Sequence, residues 1–178
     1  MRPSRAQLAH ALRLYLVTDG ALCRGRSLLD VVAAAVRGGA GCVQLREKTL
    51  ETREFVARAV ALKALLAPLS VPLVVNDRID VALACGADGV HLGQHDMPVE
   101  IARRLLPDRV FIGWSVETPQ DVARSAALPV DYLGVSPVFA TPTKTDTAPA
   151  WGLDGLRRVR GMPVKPWSRS PIGRPCHQ

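Results

Sequence analysis

Short apolar runs recur along this chain, and each ends in a compact polar cluster. Val43 runs into Gln44-Leu45-Arg46-Glu47-Lys48, and Leu73-Val74-Val75 into Asn76-Asp77. Val90 runs into His91 and on to Asp96, Phe111-Ile112 into Ser115, and Leu133-Gly134-Val135 into the loop Thr141–Lys144. Continuous apolar runs are what parallel strands need when both faces are covered. Strands that all deliver polar residues from their C-terminal ends describe a (β/α) barrel or one of its open relatives.

Helical patterns alternate with these runs. A strand is predicted at Leu14–Val17, then a helix at Leu28–Arg37 that Ser27 can cap and Gly38-Gly39 ends. Cys42–Leu45 is the second strand. Phe55, Val56, Ala59, Leu62 and Leu66 share one face of a helix over Leu50–Leu66. Strands follow at Val71–Val75, Val90–Leu92, Val110–Gly113 and Asp131–Val135. Helices are predicted at Arg78–Cys85, near Pro98–Leu106, at Glu117–Ala126 and at Leu153–Arg160. Six strand–helix units in strict alternation predict one parallel sheet with right-handed crossovers.

The pattern stops early. A barrel of this type usually needs ~250 residues, and compact ones ~200, whereas this chain has 178. After Met162-Pro163-Val164 the periodicity is lost. Lys165–Gln178 holds three prolines and no acid, and Pro166 interrupts a seventh strand as soon as it could begin. The expected organisation is an incomplete barrel over 1–163 and an irregular or disordered tail over 164–178. Exposed sheet edges at the first and sixth strands would then invite pairing into a homo-oligomer.

The net charge of +7 suits anionic partners. Its Arg and Lys residues are dispersed, without a basic block interleaved with aromatics, which favours small phosphorylated substrates over nucleic acid. No run approaches the ~18 apolar residues of a membrane span. Met1–Arg13 is basic but lacks an apolar core, so a capping helix before the first strand is the expectation rather than a secretory signal. Cys23, Cys42, Cys85 and Cys176 show no C-x-x-C spacing and are read as reduced thiols of a cytoplasmic protein.

Alternation puts Gln44, Arg46 and Lys48 on one side of their strand, with Leu45 and Glu47 on the other. Two cations and an amide at a barrel mouth suit an anion, and the plainer alternative is a strand end that reaches water. Asp77 and Asp96 each follow a separate strand. Two carboxylates in one bowl, completed by water and phosphate oxygens, make a hard oxygen site for Mg²⁺; each Asp could instead cap the helix that follows it. Asn76 can hydrogen-bond an amide or ring-nitrogen edge, or form a turn. Ser115 has no evident general base, so a serine hydrolase is rejected. Thr141-Pro142-Thr143-Lys144 offers hydroxyls, backbone amides and an ammonium to a phosphate, without the P-loop spacing. His91 and His95 lie on a strand end and its loop, where their spacing does not favour zinc.

These residues together resemble thiamine-phosphate synthases. The matching stretches are Leu14–Asp19 (LYLVTD), Gln44–Lys48 (QLREK), Asn76–Arg78 (NDR), Gly86–Gln94 with Asp96 (GADGVHLGQHD), Ile112-Gly113 with Ser115, and Tyr132–Lys144 (YLGVSPVFATPTK). They keep the family's order from Leu14 to about Pro163. The resemblance implies a (β/α)8 TIM-barrel fold, truncated here after about six β/α units. It implies that hydroxymethylpyrimidine diphosphate and hydroxyethylthiazole phosphate join to give thiamine phosphate and diphosphate. Gln44, Arg46, Lys48, Asn76, Ser115 and Lys144 would hold the pyrimidine diphosphate, Asp77 and Asp96 would bind Mg²⁺, and Thr141 and Thr143 would contact the thiazole phosphate. Arg46, Lys48 and Lys144 would stabilise the leaving group, with no protein nucleophile. Family members continue with two further strands and a small phosphate loop, and 165–178 resembles what a shifted reading frame would leave. The alternatives are a thiazole tautomerase-like relative and a non-catalytic remnant that binds only the pyrimidine diphosphate.

Overall fold

A computed structural model of the chain describes residues 2–139 and 149–162, and the backbone of 167–169. Its helices are α1 (Arg5–Ala11), α2 (Leu28–Arg37), α3 (Thr52–Leu66), α4 (Ile79–Cys85), α5 (Val99–Leu105), α6 (Pro119–Arg124) and α7 (Gly152–Gly161). Its strands are β1 (Tyr15–Val17), β2 (Cys42–Leu45), β3 (Leu73–Asn76), β4 (Gly89–Leu92), β5 (Phe111–Val116), β6 (Tyr132–Val135) and β7 (Trp167–Arg169). The strands form one sheet in chain order, and every neighbouring pair is parallel.

The sheet is strongly curled. Five strand spacings would hold β1 and β6 about 24 Å apart in a flat sheet. Instead the Tyr15 and Tyr132 hydroxyls, one from each strand, meet at 2.8 Å. That contact crosses the inside of a barrel wall, and the fold is of the TIM-barrel type, as expected.

Alternation along each strand divides the core in two. Val43, Leu45, Leu73, Val75, Val90, Leu92, Ile112, Trp114, Leu133 and Val135 turn outward and pack with buried helix residues, among them Val32, Phe55, Leu62 and Val122. Cys42, Val74, Phe111 and Tyr132 turn inward and form a second, smaller cluster with Leu8 and Leu12. The expected N-terminal helix is therefore α1, which plugs the barrel interior through those leucines. A capping box starts it: the Ser4 hydroxyl accepts from the Gln7 amide and Gln7 Oε1 accepts from the Ser4 amide.

Large inward rings sit over glycines of the neighbouring strand or, for His91 over Gly134, of the next strand but one. A Cβ on Gly89 would stand 2.5 Å from the Phe111 ring, and one on Gly134 would stand 2.8 Å from the His91 ring. Gly113 lies under the Tyr132 ring in the same way. These glycines make room that no side chain could share.

Most predicted elements occur within a residue or two of their expected bounds. Gly39, not Gly38, carries the left-handed turn after α2, at φ 103°. Ser27 stands at the N-cap of α2 but makes no side-chain capping bond. β5 runs three residues further than expected, to Val116, because Trp114, Ser115 and Val116 pair with Leu133, Gly134 and Val135. The expectation of no strand beyond Val164 is corrected by β7, which pairs Trp167, Ser168 and Arg169 with Leu133, Gly134 and Val135. Pro166 precedes that strand in sequence, and a proline ahead of a strand removes no ladder hydrogen bond. Among the described residues the sheet edges are thus β1 and β7, not β1 and β6.

Candidate active site

The C-terminal strand ends meet at one rim. On β2, alternation holds as expected. Gln44 is inward and only 4% exposed, and its Nε2 donates to the Tyr15 hydroxyl at 2.7 Å. Leu45 is buried in the outer core, and Glu47 turns back to α3, where Arg58 meets it at 2.6 Å. Arg46 is anchored by its backbone, whose N–H donates to Thr18 Oγ1 at 3.1 Å. Its half-buried guanidinium has no ion-pair partner among the described residues.

Lys48 reaches sideways to β3. Its ammonium lies 2.5 Å from Asp77 Oδ2. Asp77 has a left-handed backbone, φ 62°, an uncommon conformation that Asp tolerates better than most residues. Its N–H still continues the sheet ladder to the His91 carbonyl at 2.9 Å. Helix capping does not occupy Asp77, because Arg78 takes the N-cap position of α4 without a side-chain capping bond. Nor does Asp96 cap α5, where Pro98 holds the N-cap. Asp96 Oδ2 instead accepts from the Gly93 amide at 2.6 Å, which closes the loop after β4 on itself.

The two carboxyls face each other. Burial holds the Asp96 carboxyl above the usual carboxylate range, and its hydrogen bond with Asp77 and the Asp77 charge push it the same way. The Gly93 amide and Lys48 pull it down, but not enough. A cation between the carboxylates would relieve both the burial cost and the repulsion. Among the described residues there is no group of three or more His, Cys, Asp and Glu placed to hold a metal. Asp77 and Asp96 could supply two carboxylates to a metal, with the further positions open to substrate and water oxygens. That hard, incomplete oxygen set fits Mg²⁺, which keeps several waters and binds through one or two carboxylates plus phosphates.

Asn76 ends β3 and is buried, and its carboxamide bonds to none of the described residues. Ser115 lies within β5 rather than after it, facing inward, with its Oγ 2.9 Å from His91 Nε2. The cap of α6 is Thr118, which forms a capping box with Asp121. Gln94 Nε2 also donates to the Ser115 carbonyl, tying the loop after β4 to β5. Gln44, Lys48, Asn76, Asp77, Asp96 and Ser115 thus gather from β2, β3, β4 and β5 at one end of the sheet. Thr141, Thr143 and Lys144 lie outside the described residues.

Three residues near this rim form a bonded set that their places in the sequence do not announce. In sequence His91 is a strand-end residue whose spacing from His95 does not favour zinc, and Tyr15 and Tyr132 stand among apolar strand residues. All three are joined by hydrogen bonds inside the barrel, at 2.8 Å and 2.9 Å. Counting in twos along β4 from Gly89, and along β5 to Ser115, is the signal that would have turned His91 and Ser115 to the same side.

The arrangement has known counterparts. The family model described as thiamine monophosphate synthase matches residues 14–168. The chain belongs to that family. A thiamine-phosphate synthase of Albidiferax ferrireducens is 74% identical over 156 residues, which are 88% of this chain and 71% of that protein. One from Vibrio parahaemolyticus is 53% identical over 148 residues, covering 83% of this chain and 72% of its own length. The solved structure of thiamine phosphate pyrophosphorylase from Pyrococcus furiosus superposes with a TM-score of 0.81 at 35% identity, over 93% of this chain and 78% of that one. Membership makes the chain a transferase of thiamine biosynthesis. The names of these relatives do not favour the tautomerase or the non-catalytic alternative. No helix among the described residues is long and apolar enough to cross a membrane.

Proposed function

We propose that this rim joins hydroxymethylpyrimidine diphosphate to hydroxyethylthiazole phosphate, with Mg²⁺ held by Asp77 and Asp96. The observation that carries the reading is the Lys48–Asp77 ion pair with Asp96 next to it, at the strand end that also holds the inward amide of Gln44. Gln44, Asn76 and Ser115 bind and orient the pyrimidine. Arg46 and Lys48 neutralise the charge that grows on the diphosphate as it departs, and Lys144 is assigned the same task. Mg²⁺, when bound, supplies Lewis-acid stabilisation of the same oxygens. The methylene–oxygen bond breaks and its electron pair leaves with the diphosphate. The thiazole nitrogen then gives its lone pair to the methylene carbon. No proton needs removing from that nitrogen, so no protein nucleophile or general base is required. Thr141 and Thr143 are assigned to the thiazole phosphate.

The setting is read as cytoplasmic, in keeping with the free thiols of Cys23, Cys42 and Cys85. The chain is read as pairing through its sheet edges into a homo-oligomer, which sedimentation checks: a monodisperse monomer at micromolar concentration rejects it. The function itself is tested by incubating the purified chain with both substrates and following diphosphate release and thiamine phosphate together. Equimolar, Mg²⁺-dependent formation of the two is expected. Isomerisation of the thiazole alone, or tight pyrimidine diphosphate binding with no product, overturns the reading.

A further inference from the structure

A single file of hydrogen bonds crosses the barrel interior from Gln44 to Ser115. Gln44 Nε2 stands 2.7 Å from the Tyr15 hydroxyl, and Tyr15 stands 2.8 Å from Tyr132. The Tyr132 hydroxyl is 2.9 Å from His91 Nδ1, and His91 Nε2 is 2.9 Å from Ser115 Oγ. The residues come from β2, β1, β6, β4 and β5 in turn, so the file samples five strands.

Its direction follows from counting protons. An amide nitrogen donates and cannot accept. Tyr15 therefore receives a hydrogen bond from Gln44 and must send its one proton to Tyr132. Tyr132, having accepted, sends its own proton to His91 Nδ1. His91 then carries its proton on Nε2 and donates it to Ser115. Burial pushes both phenols well above the ordinary tyrosine value, so each keeps the one proton the count requires.

The two ends are thereby given opposite characters. Gln44 is held with its nitrogen inward. Its Oε1 accepts from none of the described residues and is left for a ligand. Ser115 accepts from inside, and its own hydroxyl proton is left to donate. An aminopyrimidine offers Gln44 the exocyclic N–H that an acceptor wants. The oxo analogue offers a carbonyl oxygen there instead, which meets Oε1 lone pair to lone pair. A site that leaves such a polar pair unmatched discriminates strongly.

We propose that Tyr15, Tyr132 and His91 are positioning residues, a relay of fixed polarity that makes Gln44 an acceptor and Ser115 a donor and so selects an amino- over an oxopyrimidine diphosphate. The inference rests on the reading of Gln44 and Ser115 as pyrimidine contacts. It gives Tyr132 influence over a ligand it does not touch. Without the Tyr132 hydroxyl, the Tyr15 proton has only Gln44 left to receive it. The Gln44 amide then turns over, puts its oxygen inward, and offers nitrogen to the ligand.

The experiment measures kcat/KM for the amino- and the oxopyrimidine diphosphates on the Mg²⁺-loaded full chain. Tyr132→Phe is expected to lower the preference for the amino substrate by about tenfold, the worth of one hydrogen bond, with the KM for thiazole phosphate unchanged. Tyr15→Phe, which frees the Gln44 amide directly, is expected to lower it similarly. An unchanged preference in both, alongside a lost preference in Gln44→Ala, overturns the relay and leaves the pyrimidine site standing. If Gln44→Ala and Ser115→Ala leave the pyrimidine KM unchanged, the reading of the site fails and the relay with it. A nitrogen-15 spectrum of His91 in the native chain decides the polarity without any variant. A protonated Nε2 with bare Nδ1 is expected, and a proton on Nδ1 overturns the proposal.

Discussion

Two pairs of aspartates stand at opposite ends of this sheet, and they live in opposite circumstances. Asp88 precedes β4, and Asp131 precedes β6. Each reaches across to the backbone of the strand before it, Asp88 accepting from the Leu73 N–H and Asp131 from the Ile112 N–H, both at 2.8 Å. Each also meets a cation, Lys63 at 2.6 Å and Arg2 at 3.2 Å. At the other end, Asp77 and Asp96 face each other, and the Asp96 proton is held more tightly than usual. One pair has its countercharge built in. The other has Lys48 for one carboxylate and a shared deficit between them. Carboxylates at the two ends are therefore not alike: where the chain supplies the partners they brace the sheet, and where it does not they stand against each other's charge.

Exchanging one Asp for Ala at each end is the sharpest way to break the comparison. Asp96→Ala is expected to lower kcat/KM by roughly 10²-fold or more, with a melting temperature equal to or above that of the unsubstituted chain when no divalent cation is present. Steady-state kinetics over a Mg²⁺ series and a thermal melt check both halves. A large loss of stability without loss of turnover would erase the distinction.

Asp88→Ala should do the reverse. Losing a charge-assisted bond to a buried amide costs about 2 kcal/mol, which lowers the melting temperature by roughly 4–8 °C in a chain of this size. Activity below the melting range should stay within about twofold of the original, since the residue lies at the far end of the strands.

The pH dependence sharpens the upper pair. Asp96 binds its proton more firmly in the folded chain than in the unfolded one. Its contribution to stability is fully present below the unfolded carboxylate value of ~3.9 and is lost as pH rises through the higher folded value. In metal-free buffer, Asp96→Asn should flatten the melting temperature across that acidic window. Mg²⁺ affinity should rise over the same window as the proton leaves, which titration calorimetry at several pH values would read.

A third kind of carboxylate gives the smallest effect. Asp80 pairs with Arg78 at 2.6 Å on the open surface of α4. Arg78→Ala should change stability by no more than about 0.5 kcal/mol, because exposed pairs are screened by water and salt. A denaturant midpoint shift as large as that of Asp88→Ala would show that exposure does not sort these groups.

The elements most readable in the sequence were those with their own periodicity. Leu28–Arg37 and Cys42–Leu45 match α2 and β2 residue for residue. The end of β5 was not readable, because Gly113 looked like a strand stop. It is a clearance under the Tyr132 ring, and pairing with β6 carries the strand on through Ser115. β7 was missed for the same kind of reason: its three residues have little pattern of their own and owe their strand to β6. Asp77 and Asp96 were readable as polar residues after strands, but nothing in their local sequence says that they face each other rather than cap the next helix.

What the sequence determined alone was the alternation of strands and helices, which end of the sheet gathers the polar strand-end residues, and the family. All of these depend on residue types at short, regular spacings. The curl of the sheet decided the rest. It carries Tyr15 of β1 to Tyr132 of β6 across 117 positions of chain, and so joins Gln44 to Ser115 through groups that look like plain core residues one at a time. Hydrogen bonds need partners within about 3 Å, and only the folded wall brings such distant positions that close.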